Sequence, residues 1–121
     1  MDENVNVDRP QYVNSDDPTL LLVKGNIDDP TERKRYVKQL ASAIFVTVQK
    51  HKVARCRYVG AAAGNNAMKA LIIARAEASK KGFNLAAVPT FQTVNFDNSG
   101  EKTSIVLEIS DMVVKEDNRE V

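Results

Sequence analysis

Several kinds of functional chemistry are missing from this sequence of 121 residues. The chain has one cysteine, Cys56, and one histidine, His51, which exclude an internal disulfide and a zinc site of the usual Cys/His type. No apolar run approaches the ~20 residues that a membrane helix needs, and the N-terminus lacks the basic and apolar blocks of a secretory signal. We therefore expect a protein of the reducing cytoplasm with no membrane segment.

A catalytic constellation is also missing. A histidine-based triad would have to use His51, which lies between Lys50 and Lys52 near a predicted helix end, where a solvated side chain is the simpler interpretation. Cys56 falls on the inner face of a predicted strand, which favours an inert, buried thiol. We expect no enzyme, no catalytic residue, no metal and no cofactor.

The charges are segregated along the chain, although the formal net charge is only +1. Residues 1–32 carry a net charge of −6, residues 33–81 carry +11 and residues 82–121 carry −4. A basic block between acidic ones is typical of a protein that binds a polyanion. The alternative, that these segments intermix in space and cancel one another, stays open at this point.

The hydropathy pattern predicts one domain with short extensions. The domain spans residues 19–114, between a flexible acidic N-terminal tail (1–18) and a charged C-terminal tail (115–121). The first strand starts at Leu20, and Asp29 is the expected N-cap of the first helix, with Pro30 at its first position.

The later elements follow in order, with predicted bounds of 54–61 for a strand, 65–81 for a helix, and 85–96 and 103–114 for two strands of a hairpin. The order β-α-β-α-β-β predicts an α/β two-layer sandwich, in which two helices cover one face of a four-stranded mixed sheet.

The chain is organised around a strand–turn–helix stretch over residues 58–75. Asn65 is a plausible N-cap of the second helix, and the amides of Asn65 and Asn66 share its positive end with the ammonium of Lys69. Free N–H groups, two amides and an ammonium suit a phosphate. The alternative is a tight crossover that needs small residues for packing, with Lys69 merely solvated.

Two short motifs carry a resemblance to a known family. The first is Gly60-Ala61 followed by Asn65, Ala67, Lys69, Ala70, Ile73, Ala74 and Arg75, and the second is Val88-Pro89-Thr90-Phe91. They resemble the central motif and the Ile-Pro-x-Phe stretch of the stage V sporulation protein S family. The resemblance is good from about Arg55 to Val94, continues through the last strand and is weak before Leu40. Gly64 stands where the family usually has leucine.

The resemblance implies an Alba-like fold and a regulatory protein that binds DNA or RNA. Proteins of that fold act as dimers whose body contacts phosphates while two hairpin arms reach along the duplex. Lys24, Asn65 and Lys69 carry over by position, and charge alone extends the site along the first helix. The predicted nucleic-acid-binding residues are thus Lys24, Arg33, Lys34, Arg35, Lys38, Asn65, Asn66 and Lys69. The acids Asp97 and Glu101 at the hairpin tip argue against insertion of that arm into a duplex groove.

We expect a homodimer or a higher homo-oligomer, because Met68, Leu71, Ile72 and Ile73 give the second helix more apolar surface than one sheet face can cover. Binding to nucleic acid in the cytoplasm would also permit association with the nucleoid. The alternative function is a regulatory scaffold that binds a protein partner and no nucleic acid.

Overall fold

Five strands and two helices make up the described part of the chain. The computed structural model describes residues 13, 14, 16–96 and 100–112. The strands are β1 (Val13–Asn14), β2 (Asp17–Leu22), β3 (Val53–Tyr58), β4 (Leu85–Phe96) and β5 (Gly100–Asp111); the helices are α1 (Pro30–His51) and α2 (Ala61–Ser79). From β2 onward the order is β-α-β-α-β-β, which confirms the predicted succession.

The strands form one mixed sheet in the order β1-β2-β3-β5-β4. β2 and β3 are parallel, whereas β5 is antiparallel to both of its neighbours, β3 and β4. These four strands confirm the predicted sheet and, with the two helices, an α/β sandwich consistent with the Alba-like fold. The two-residue β1 adds a short antiparallel edge, in which Val13 pairs with Leu21.

Alternation along the strands places the core on one face of the sheet, where both helices pack. Ala54 and Cys56 of β3 are fully buried, as are residues of both helices in the same cluster. Arg55 and Arg57 alternate with them and are only half-buried, so they lie on the face that the helices leave uncovered, as the sequence predicts. Burial raises the pKa of the Cys56 thiol to about 12, which keeps it protonated.

α1 begins and packs as its sequence predicts. The Asp29 carboxylate accepts a hydrogen bond from the Thr31 backbone N–H at 3.0 Å, and Pro30 opens the helix. The apolar residues that recur at three- and four-residue steps along α1 are all buried: Val37, Leu40, Ala41, Ile44 and Val48. The helix therefore presents one apolar face to the sheet and leaves its early cations on the outer surface.

The start of α2 differs from the prediction. The helix begins at Ala61, four residues before Asn65, and its N-cap is Gly60, with φ 93° and no side-chain cap. Asn65 consequently lies in the second turn rather than at the cap. Gly64 lies inside the helix, where a Cβ would come within 2.7 Å of the Tyr58 ring, so close packing against β3 explains this glycine.

The strand predicted to start at Leu20, which is β2, begins earlier, at Asp17, inside the segment assigned to the N-terminal tail. The Asp17 carboxylate accepts hydrogen bonds from Thr19 and pairs with Arg55. The Thr19 hydrogen bonds, assisted by the nearby guanidinium, lower the pKa of Asp17. Residues 1–12 and 113–121, which hold most of both predicted tails, lie outside the described residues, as does the hairpin tip at 97–99.

Candidate nucleic-acid interface

A groove between α1 and α2 brings together four of the predicted cations. Its volume is about 420 Å³, and Arg33, Lys34 and Lys38 of α1 line it together with Lys69 of α2. These two sets of residues are about 30 positions apart in sequence, so the helix–helix packing alone makes them neighbours. The lining contains no acidic residue within the part of the chain that the structure describes.

The geometry of α1 explains how its cations reach the groove. Lys34 and Lys38 are four residues apart and therefore share one helix face. The positive end of a helix disfavours cations in and near its first turn, so Arg33, Lys34 and Arg35 benefit from another source of stabilisation. Salt bridging supplies it for Arg35, which pairs with Glu32 at 3.0 Å and points outside the groove. Among the described side chains, neither Lys34 nor Lys38 forms an ion pair.

A second hollow of about 370 Å³ adjoins the groove, and Arg33 lines both. Asn65 and Asn66 line this hollow together with the loop over residues 26–28. The Arg33 guanidinium is held there by a 2.7 Å hydrogen bond that it donates to the Ile27 carbonyl. The hollow contains Asp28, so its charge is mixed, in contrast to that of the groove.

Lys24 and Asn66 are tied to each other and to the core. Asn66 is only 2% exposed, and its amide nitrogen donates to the Lys24 carbonyl at 3.0 Å. The Lys24 backbone N–H donates to the Tyr36 hydroxyl, and the Lys24 ammonium lies 5.6 Å from the centre of the Tyr36 ring. Burial raises the pKa of Tyr36. Asn66 therefore positions the Lys24 loop, whereas the Lys24 side chain remains exposed at the surface.

The entrance of α2 is less open than the sequence suggests. Gly25 packs so tightly against the first turn that a Cβ on it would come within 2.7 Å of the Ala63 backbone nitrogen. The chain's own loop thus covers part of the helix end at which a phosphate was expected. The open cationic surface lies farther along the helix, at Lys69.

Sequence reasoning missed two features of this region. The Tyr36 hydroxyl is a fixed partner of the Lys24 loop, which no pattern in the sequence indicated. The groove floor combines Val37 of α1 with Ile72 and Ile73 of α2. The sequence predicts that the surplus apolar surface of Ile72 and Ile73 meets a second copy of the chain, whereas in the structure both residues line the groove.

The described residues contain neither a candidate metal site nor a candidate membrane-spanning helix. No group of three histidine, cysteine, aspartate or glutamate side chains lies close enough to hold a metal ion in the ranges 16–96 and 100–112. None of the described helices is both long and apolar enough to cross a membrane.

Comparison with known protein families identifies the family of this chain. No curated protein sequence matches the chain significantly. The family model described as Stage V sporulation protein S matches residues 32–112. The match begins earlier than the resemblance suggested, so it includes the cations of α1 as well as Lys69, whereas Lys24 precedes it. It extends over two thirds of the sequence, and the chain therefore belongs to the stage V sporulation protein S family.

Proposed function

We propose that this protein, whose family membership supports a sporulation regulatory role, binds the phosphate backbone of DNA or RNA without catalysing a reaction. The observation that carries the proposal is the acid-free groove in which Arg33, Lys34, Lys38 and Lys69 converge. Four cations on one surface can neutralise about four phosphates and release their counterions, which makes binding favourable at low salt. The basic block over residues 33–81, with a net charge of +11, also favours binding of a polyanion.

A retardation assay with duplex and single-stranded DNA and RNA, at low and moderate salt, tests the proposal. The variant Lys34→Ala/Lys38→Ala/Lys69→Ala should lose most of the binding at low salt. The control Lys50→Ala/Lys80→Ala/Lys81→Ala removes the same charge from the far ends of the helices, because Lys80 follows Lys69 by roughly 16 Å along α2. Equal losses in the two variants would mean that net charge, rather than the groove, drives association.

We also propose that the protein acts as a homodimer. Two exposed apolar side chains support this: Val88 and Phe91, both on the edge strand β4. Phe91 is 80% exposed, which is unusual for an aromatic ring in a small domain. If no nucleic acid binds under any of these conditions, a scaffold that recognises a protein partner becomes the better interpretation.

A further inference from the structure

The groove between α1 and α2 contains apolar side chains that phosphate binding alone does not use. The aliphatic part of its lining, Val37, Ile72 and Ile73, is called the floor, and the four cations of the lining are called the rim. Ile72 is 59% exposed although it lies in the middle of α2. Met68, one turn earlier and 45% exposed, continues the apolar strip along the helix. A site built for phosphates alone would not require this apolar strip.

The form of the nucleic acid decides whether that floor can be filled. A duplex keeps its bases paired inside and presents phosphates and sugars on a convex surface, whereas a single strand can turn its bases toward a protein. The groove volume of about 420 Å³ lies within the ~300–1,000 Å³ typical of sites that enclose small organic groups. An unpaired base fits that description, and a duplex does not.

We infer that the groove takes a single-stranded segment of nucleic acid, with bases against the aliphatic floor and phosphates along the cationic rim. The inference rests on the proposed function and specifies its ligand. Lys34 and Lys38 stand one turn apart on the α1 wall, with Lys69 across from them on α2. Because the described lining has no aromatic ring, the bases gain affinity from burial of apolar area rather than from stacking, and no base is strongly preferred.

The test compares three probes of equal length: single-stranded oligothymidylate, the same oligomer without bases, and a duplex. The first two carry identical phosphates and differ in their bases alone. We expect oligothymidylate to bind about tenfold more tightly than the abasic oligomer, the factor that burial of roughly 55 Å² of apolar surface gives. The ratio should persist as salt rises, because counterion release depends on the phosphates that both probes share.

Two serine variants assign the preference to the groove. In Ile72→Ser, oligothymidylate should bind no more than about twofold more tightly than the abasic oligomer. The Ile72 side chain supplies most of the apolar contact with the bases, and serine removes it. Val46→Ser is the matched control, because Val46 is 45% exposed on α1 and does not line the groove. Both side chains are largely exposed, so circular dichroism should report folded proteins.

The outcomes separate this inference from the proposed function. A tenfold ratio that Ile72→Ser abolishes and Val46→Ser preserves supports the inference. Equal binding of all three probes, lost in the triple lysine variant, overturns the single-strand assignment and leaves phosphate binding intact. A ratio that survives in Ile72→Ser overturns the placement of the bases in the groove. Absence of binding by every probe removes the proposed function and the inference together.

Discussion

At the residue scale, two cations of α2 have different environments. Lys69 lines the groove, whereas Arg75 donates from its Nε to the Leu85 carbonyl at 2.7 Å and so ties α2 to β4. Six residues separate them, which places their side chains about 120° apart around the helix. The partner of Arg75 is thus a backbone carbonyl rather than a carboxylate.

Lys69→Ala should weaken binding evenly across sequences. It should also reduce the magnitude of the log–log salt slope for single-stranded DNA by about 0.7 unit, from a starting value of roughly −2.8 for four phosphates. Its melting temperature should hardly change, because Lys69 is exposed. Arg75→Ala is the control and should lose about 1 kcal/mol of stability with the Leu85 hydrogen bond, while its salt slope is unchanged. The reverse pattern in folded proteins would contradict our placement of the site.

Cys56 should be unreactive in the folded protein. It is fully buried, and its pKa of about 12 leaves no thiolate at neutral pH. Titration with a thiol reagent should show slow modification in buffer and stoichiometric modification in urea. Folding raises the pKa of the Cys56 thiol from 9.0. The contribution of the protonated thiol to the free energy of unfolding is therefore full below pH 9.0 and declines as pH rises toward 12. Rapid labelling under native conditions would contradict the buried position.

At the element scale, the contact between the two helices positions the groove. Ala67, Ala70, Ala74 and Ala78 form a buried stripe on α2. These small residues belong to the chain's own core, which leaves them no surface for a second copy. The close approach of α1 to α2 then determines how near Lys69 comes to Lys34 and Lys38.

Ala70→Leu should destabilise the protein by about 1–3 kcal/mol through overpacking, because Ala70 has no exposed surface. The control Ala76→Leu places the same side chain on the exposed face of α2 and should change stability by less than about 0.5 kcal/mol. Urea unfolding measures both values. A stable Ala70→Leu protein that dissociated from a dimer would instead place the stripe at an interface between subunits.

At the scale of the whole molecule, two contacts link the N-terminal region to the centre of the sheet. β1 pairs with β2, and Asp17 pairs with Arg55 on β3. The Nε atom of Arg55 is buried and has no hydrogen-bond partner in the described part of the chain, so this guanidinium depends on Asp17 and Thr19 for its polar contacts.

Removal of residues 1–12 should leave the melting temperature unchanged within a degree or two, whereas removal of residues 1–18 should lower it by several degrees, because β1 and Asp17 are then lost. The lowered pKa of Asp17 adds a pH signature. Its contribution to stability is present above 3.8, the ordinary carboxyl value, and is lost as pH falls below it. Equal melting curves for the two truncations would show that β1 contributes nothing.

Light scattering tests the proposed homodimer. The full chain should have twice the mass of 13.4 kDa at micromolar concentrations. Phe91→Ser should shift the mass toward the monomer, because it removes the most exposed aromatic side chain of the described surface. Val46→Ser, which changes an exposed apolar residue on α1, serves as the control. A monomeric full chain would remove the proposal.

The sequence by itself determined the features that local physics controls. The order of elements, the start of α1 at Asp29 and Pro30, and the buried stripe from Val37 to Val48 follow from propensity, capping and periodicity over a few residues. Tertiary structure decided the rest. The start of α2 depends on the Gly60 turn and on how Gly25 and Tyr58 pack against it, so Asn65 did not become the cap.

Long-range contacts likewise decided which charges act together. Asp17 lies in the sheet and contacts Arg55, which is 38 residues away in sequence. Local sequence patterns could not reveal that contact. The predicted cations separated into groove residues, the Glu32-paired Arg35 and the loop-bound Lys24 once the helices had packed. Sequence composition could establish that the middle of the chain is basic. The assembly of Arg33, Lys34, Lys38 and Lys69 around an aliphatic floor required the three-dimensional fold, because residues about 30 positions apart become neighbours only when the core forms.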